Sequence, residues 1–395
     1  MNKVYVSLDE ICQEIYRYPT YYGIEYCETG IPEVRGELIT SDGSLDLNKH
    51  KWRFISKNTS LKFPRTTLLK GDLVMSVRGT IGKVALIPPE FVGANITANL
   101  IRISPNRLKV NERYLWRYMR SNDFIQFLDN ASSSTTIKTI KAPDLKNHKI
   151  PLPPLEEQKR IAEILDQAEE LRRKRKEAIA QLDTLTQSIF FEMFGDPVKN
   201  PKGWTVSKLG DITEKITDGE HQTPKRTLQG IKLLSARNIQ NGYIDVRDVD
   251  YISVEEHERI KKRCNPVRGD ILISCSGTIG RVTTVDIDEP FSLVRSVALL
   301  KLNYNLISSK FIEYFLRTPA LHAKMQQRAN ASSQANLFQN QIRELPALLP
   351  PLSLQQEFAQ RVEAVEELKK SHHASLLELD ALFASLQHRA FKGEL

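Results

Sequence analysis

The sequence predicts an α+β protein built as an internal pseudo-twofold repeat: two similar globular α+β domains separated by two long antiparallel coiled-coil helices. Three observations carry this reading. The fifteen-residue block Lys70-Gly71-Asp72-Leu73-Val74-Met75-Ser76-Val77-Arg78-Gly79-Thr80-Ile81-Gly82-Lys83-Val84 returns as Arg268-Gly269-Asp270-Ile271-Leu272-Ile273-Ser274-Cys275-Ser276-Gly277-Thr278-Ile279-Gly280-Arg281-Val282, an offset of 198 residues in a chain of 395. A period of half the chain is too long for a solenoid and marks a duplicated domain-plus-helix unit. Each copy then ends in a long stretch free of Gly and Pro, with apolar residues at seven-residue spacing.

Other segments keep the register. Gly30-Ile31 matches Gly230-Ile231, Phe54-Ile55-Ser56 matches Tyr251-Ile252-Ser253, Ala131-Ser132-Ser133 matches Ala331-Ser332-Ser333, and Leu152-Pro153-Pro154-Leu155 matches Leu349-Pro350-Pro351-Leu352. The expected division is a first globular domain over 1–150, a spacer helix over 151–196, a second domain over 197–348 and a second spacer helix over 349–395. Within the domains, short apolar runs bounded by turn residues read as strands: Leu73 to Val77, Lys83 to Ile87, Leu100 to Ile103, Ile271 to Ser274 and Val297 to Leu302. Tyr114 to Phe127 and Lys310 to Leu321 read as short helices.

In the first long helix Ile161, Ala168, Leu182 and Ile189 form one heptad position and Ile164, Leu171, Ala178 and Leu185 the other. That pattern puts a narrow apolar seam on one face. The second helix repeats it with Phe358, Val365, Leu379 and Leu386, and with Leu368 and Leu382. Arg175 and His372 occupy equivalent seam positions, as register-fixing polar residues or at a wetted midpoint. Rods that are apolar on one side pack together, and antiparallel pairing returns the C-terminus to the first domain.

Composition sets the outer limits. Lys and Arg outnumber Asp and Glu by 56 to 48, a net charge of +8 that suits a polyanionic partner without requiring one. The chain has no membrane-length apolar run and no signal-peptide core at its start, so a cytoplasmic protein with no membrane partner is expected. Cys12, Cys27, Cys264 and Cys275 have no C-x-x-C spacing, so four reduced thiols and no bound metal are expected. Gly79 to Lys83 has a slight likeness to a phosphate-binding loop. Val77 stands where its first Gly belongs and Val84 where its Ser or Thr belongs, and no G-x-G-x-x-G occurs. No catalytic residue is nominated.

The duplicated Gly-Asp-(apolar)-Ser-x-x-Gly-Thr-Ile-Gly blocks at 71–82 and 269–280 are the first of four features that carry a resemblance. The others are Leu-Pro-Pro-Leu-Glu-Glu-Gln at 152–158 with its diverged copy at 349–356, Phe194-Gly195-Asp196-Pro197, and Phe391-Lys392-Gly393-Glu394-Leu395. Through them the sequence resembles the specificity subunits of type I restriction-modification systems over essentially its whole length. The resemblance implies that each globular domain is a target recognition domain reading one half of a split, asymmetric site in double-stranded DNA. It implies that the helices separate the domains and dock two methyltransferase subunits, to which restriction/translocase subunits add; because the helices join the two domains, their length is expected to set the gap between half-sites. S-adenosylmethionine, Mg and ATP would serve those partners, with no cofactor bound by this chain. The Asn/Asp-Pro-Pro-Tyr/Phe block of adenine methyltransferases is absent. The competing classes are a self-contained DNA-modifying enzyme with an unrecognised active site and a coiled-coil scaffold unrelated to DNA.

Affinity for duplex DNA comes from Lys and Arg on phosphates, and specificity from polar side chains at base edges. The repeated block nominates Ser76, Arg78, Thr80, Ser276 and Thr278 as a DNA-facing loop, although a motif shared by domains that read different sequences fits a structural turn better than base readout. Base-reading residues should differ between copies. The second copy offers His221, Gln222, Lys225 and Arg226, then Arg237 and Asn238, where the first has Tyr21-Tyr22-Gly23 and Arg35. Lys138 and Lys141, beside a Ser/Thr-rich stretch, are phosphate candidates, and the basic run Arg172 to Lys176 is a candidate patch on the first helix.

Overall fold

Each copy of the repeat folds around a four-stranded antiparallel sheet. In the first domain its order is Cys12–Arg17, Leu100–Pro105, Leu73–Ser76, Val84–Leu86. In the second it is Thr213–Asp218, Val297–Leu302, Ile271–Ser274, Val282–Thr284. The computed structural model describes residues 4–17, 24–131, 139–330 and 335–395.

The central strands Leu73–Ser76 and Ile271–Ser274 are buried along their length, because each faces a core on both sides. Side chains alternate across a strand. Leu73 and Met75 join a core completed by helices, and Val74 points into a second core shared with the neighbouring sheet. Ile271 and Ile273 against Leu272 repeat this division. The neighbouring sheet is mixed. Its order is Tyr26–Cys27, Arg53–Ile55, Ile31–Val34, Asn95–Ile96 in the first domain, with the last pair parallel. The second domain has Arg226–Thr227, Asp250–Ile252, Ile231–Leu234, Phe291–Leu293 in the same arrangement. A short two-stranded sheet, Tyr5–Ser7 with Lys149–Pro151 and Thr205–Lys208 with Pro346–Leu349, joins the start of each domain to its end.

The Gly-Asp of the repeated block is a framework device. Asp72 accepts a hydrogen bond from the Leu69 amide at 2.8 Å and pairs with Arg102 at 2.6 Å, both side chains buried. Asp270 accepts from the Val267 amide and pairs with Lys301 at 2.7 Å. Each expected short helix is two helices: Glu112–Tyr118 then Asn122–Ala131, and Ser309–Arg317 then Pro319–Ala329. The second break falls before Pro319, which disfavours helical backbone in the residue ahead of it. In the first copy the Ser121 hydroxyl accepts from the Phe124 amide and starts a new helix.

Both long helices run forty residues, Leu155–Phe194 and Leu352–Phe391. The chain divides into two compact units, 1–176 with 374–395, and 177–373, so each unit holds one half of each helix. In the first unit the two halves run antiparallel. Phe391 packs edge-on against Tyr114 and Tyr118, with ring centroids 5.6 and 5.1 Å away, and Arg172 pairs with Asp380 at 2.6 Å. In the second unit Phe358 packs against Phe190, Phe194 and Tyr314, and Lys369 pairs with Asp183 at 2.7 Å.

One half of the expected seam is displaced. Ile161, Ala168 and Phe358 are buried, but Leu171, Leu185, Leu368 and Leu382 are about half exposed. The inward position lies one residue further on. It comprises Gln158, Leu165, Arg172, Ile179, Thr186 and Met193 in the first helix, and Gln355, Val362, Lys369, Leu376, Phe383 and Ala390 in the second. Each helix packs on a globular domain as well as on its partner, so its buried stripe is wider than a coiled-coil seam. Counting only apolar residues misses this position because several of its members are polar and satisfied. Arg172 meets Glu169 and Asp380, Lys369 meets Asp183 and Glu366, and the Thr186 hydroxyl donates to the Asp183 carbonyl.

The two buried glutamines act alike. Gln158 accepts from the Asn111 amide at 2.8 Å and donates to the Lys109 and Pro153 carbonyls. Gln355 accepts from the Ser308 amide at 2.8 Å and donates to the Leu306 and Pro350 carbonyls. This is the structural meaning of the repeated Leu-Pro-Pro segment and the Gln that follows it. One side chain ties the first turn of the helix to the loop that precedes the helices of its domain.

Candidate nucleic-acid interface

The loop that follows each central strand is closed by its first serine. The Ser76 hydroxyl donates to the Thr80 carbonyl at 2.5 Å and accepts from the Lys83 amide at 3.0 Å. Ser274 bonds in the same way to the Thr278 carbonyl and the Arg281 amide. Gly79, Gly82, Gly277 and Gly280 have φ between +69° and +85°, the left-handed region that favours glycine. Ser76 is therefore buried and engaged within the loop, and its counterpart is Ser274. Ser276 falls at the place of Arg78, and Arg78 and Ser276 make equivalent bridges to Thr139 and Asn336. The shared residues build the turn; of its outward side chains Thr80 recurs as Thr278, while the exposed Arg78 is replaced by the half-buried Ser276.

In the first domain this loop and the mixed sheet border an open cleft of about 450 Å3 that gathers four nominated residues, Arg35, Ser76, Arg78 and Thr80. Arg78 and Thr80 are exposed. Arg35 is mostly buried; its terminal nitrogens donate to Glu37 Oε2 and the Lys51 carbonyl, each at 2.7 Å. Sequence reasoning missed Glu33, which lines the same cleft and is 2% exposed. Burial raises its pKa above the usual carboxylate range, opposed by a hydrogen bond from Tyr26 and by the Arg53 and Arg35 charges. The Arg53 guanidinium lies 5.3 Å from the Tyr26 ring centre. Comparing the copies would have flagged Glu33, because a charged residue stands there opposite an apolar one, Leu233.

The candidates of the second domain are more dispersed. His221, exposed, pairs with Asp218 at 2.8 Å beside a cleft of about 280 Å3. Asp218 also takes Arg263 at 3.0 Å and Gln339 at 2.7 Å. Gln222 and Lys225 are exposed. Arg226 and Arg237 both reach Asp250, at 3.1 and 3.4 Å. Thr278 is exposed and Ser276 half-buried. Asn238 does not face outward. It is 2% exposed, its amide donates to the Asp245 and Asp248 carbonyls, and its oxygen accepts from the Ser235 amide, so it shapes a turn.

Lys141 is exposed at the start of helix Ala142–Asn147 and does not line the cleft, and Lys138, Tyr21, Tyr22 and Gly23 lie outside the described residues, as do Ser132 and Ser133. The basic run is largely paired within its helix: Arg172 with Glu169, and Arg173 and Lys174 with Glu170. Burial pushes the Cys12, Cys264 and Cys275 thiols up to about 12, far from thiolate chemistry at neutral pH. Among the described residues no group of three His, Cys, Asp or Glu side chains is placed to hold a metal, and no helix is long and apolar enough to cross a membrane.

A duplicated framework with unlike exposed polar residues is the design of a paired recognition protein. The profile of the type I restriction modification DNA specificity domain matches residues 4–181 and again 201–380, and the chain belongs to that family. It is 25% identical over 337 residues to the type I restriction enzyme EcoBI specificity subunit of Escherichia coli, covering 76% of this chain and 69% of that one. It is 26% identical over 369 residues to the putative type I restriction enzyme MjaX specificity subunit of Methanocaldococcus jannaschii, covering 86% and 81%. A chain from a structure addressing complex assembly and conformational transition of the type I R-M system superposes with a TM-score of 0.58 at 20% identity, covering 100% of this chain and 98% of that one. The chain is thus a DNA sequence-specificity component of the type I class.

Proposed function

We propose that this chain reads a bipartite, asymmetric site in double-stranded DNA, one half-site per domain, and carries no catalytic centre of its own. Two methyltransferase subunits dock on the paired long helices, and restriction/translocase subunits join that core in the cytoplasm. S-adenosylmethionine, Mg and ATP act on those partners. Arg78 and Thr80 in the first domain, and His221, Gln222, Lys225, Arg226, Arg237, Ser276 and Thr278 in the second, are the DNA-facing candidates. Lys141 is a phosphate contact. The observation that supports this reading best is the contrast between copies. The residues that close the recognition loop are repeated, Ser76 with Ser274 and Gly79 with Gly277, while the position between them changes from an exposed Arg78 to a half-buried Ser276. A positioning frame held constant under a variable surface is what reading two different half-sites requires. The half-exposed Leu171, Leu185, Leu368 and Leu382 support the docking role, since each leucine of the first helix has its equivalent in the second.

The test is a domain exchange. Residues 1–150 are replaced with the matching domain of another specificity subunit, the protein is co-expressed with its methyltransferase subunits, and N6-methyladenine is mapped genome-wide. One half-site should change and the other stay. A change in both halves, or a continuous palindrome, contradicts the proposal. So does methylation of DNA by the chain alone with S-adenosylmethionine.

A further inference from the structure

The first domain carries a buried acidic group that its framework does not explain. Glu33 lies on strand Ile31–Val34, paired with Arg53 across the antiparallel neighbour and with Asn95 across the parallel one. The Tyr26 hydroxyl donates a hydrogen bond to its carboxyl group, yet its Oε2 is buried with no hydrogen-bond partner among the described residues, and the Nε of Arg35, two residues on, is in the same condition. Both residues line the same open cleft, with Arg53, Arg78 and Thr80 around them. Buried polar atoms are almost always partnered, and leaving one unpartnered costs on the order of 1–3 kcal/mol. A ligand group reaching them from the cleft would complete both.

The second domain shows what the framework needs at this place. Leu233 occupies the position of Glu33 and Asp250 that of Arg53, in the same strand register. The fold therefore closes without the carboxylate, and the acid–base pair belongs to the first domain alone. Resting on the DNA-reading function above, we propose that Glu33 is a specificity-determining residue that accepts a hydrogen bond from a cytosine amino group in the first domain's half-site.

The choice of base follows from the donor pattern. A carboxylate accepts only, so in the major groove it selects an exocyclic amino group, on cytosine or adenine. In the major groove adenine presents its amino group beside the N7 acceptor, which repels a carboxylate, whereas cytosine presents a lone donor. The guanidinium of Arg78, exposed on the rim of the cleft, suits the O6 and N7 acceptors of the guanine paired with that cytosine.

The test uses the full chain in complex with its methyltransferase subunits and a library of random-sequence duplexes. Glu33→Leu installs the residue of the second domain, and Glu33→Gln keeps size and shape. Wild type should select two separated half-sites, one with a fixed C·G pair. Both variants should flatten that single position by about ten-fold and leave the other half-site intact, which also reports that the protein is folded. Retention of every selected position by both variants overturns the assignment while leaving the DNA-reading function standing. Relaxation at an A·T pair overturns the choice of cytosine. A loss spread over both half-sites by the Gln variant as well as the Leu variant makes Glu33 a framework residue. If wild type selects no split site, the underlying function fails and this inference with it.

Discussion

Replacing Gln158 with Ala tests how the long helices are fastened to their domains. Gln158 is 1% exposed and makes three hydrogen bonds, to the Asn111 amide and the Lys109 and Pro153 carbonyls. A protein hydrogen bond contributes about 1 kcal/mol net, and a buried group left without a partner costs about 1–3 kcal/mol. Three orphaned groups therefore give a loss of about 3 kcal/mol, a large share of the ~5–15 kcal/mol that holds a typical domain together. Urea unfolding followed by fluorescence reads the first unit through Trp52 and Trp116 and the second through Trp204, its single tryptophan. Gln158→Ala should destabilise the first unit and speed hydrogen exchange at Asn111. Gln355→Ala should do the same to the second unit. Gln158→Leu, which restores volume but no hydrogen bonds, should lose as much as Ala. A loss below about 1 kcal/mol, smaller than one unsatisfied buried group, or rescue by Leu, would show that packing and not hydrogen bonding fastens the helix.

Two further perturbations follow from the framework. His148, stacked on Phe127 at 3.9 Å and bonded to the Tyr118 hydroxyl, has its pKa lowered from 6.5 to about 4 by burial. Because the folded value is depressed, the neutral imidazole stabilises the first unit above pH 6.5, and that contribution is lost as pH falls towards 4. Partial exposure reduces it to on the order of 1–2 kcal/mol, and His148→Phe should remove this part of the acid sensitivity in a pH series of unfolding curves. Asp72→Ala takes from buried Arg102 its 2.6 Å partner but leaves Glu14 at 3.1 Å, and should cost the first unit about 2–3 kcal/mol by urea titration. Asp72→Asn, which keeps an acceptor for the Leu69 amide, should cost less.

The legible parts of this protein are those governed by local period. Leu73–Ser76 and Val297–Leu302 were readable as strands because a continuous apolar run bounded by turns has few alternatives. The long helices were readable from the absence of Gly and Pro. Reading the seam failed at Leu171 and Leu185, since apolar spacing alone cannot say that Gln158 and Arg172 are the residues turned inward by partners far along the chain. The site residues followed the same rule. Arg78 and Thr80 stand on a loop fixed by nearby residues, so their exposure was foreseeable. Asn238 looked like a surface amide, yet the turn it stabilises folds over it. Glu33 had the local pattern of an ordinary solvated strand residue. Its burial comes from strands that join only when residues 53 and 95 arrive.

The C-terminal turn of the second long helix has a consequence for synthesis. Ala390 and Phe391 belong to the core of the first domain, alongside Leu8, Ile11 and Tyr114. As the chain emerges from the ribosome, the first domain stays unfinished, its aromatic core open until Phe391, 383 residues after Leu8, has been made. The second unit, 177–373, is contiguous and has all of its parts earlier. Folding order thus runs against sequence order, and contacts between such distant residues form slowly because a long loop must close first. During that interval the exposed apolar surface around Tyr114 and Tyr118 is an aggregation hazard. Release of the last helical turn is the event that ends it.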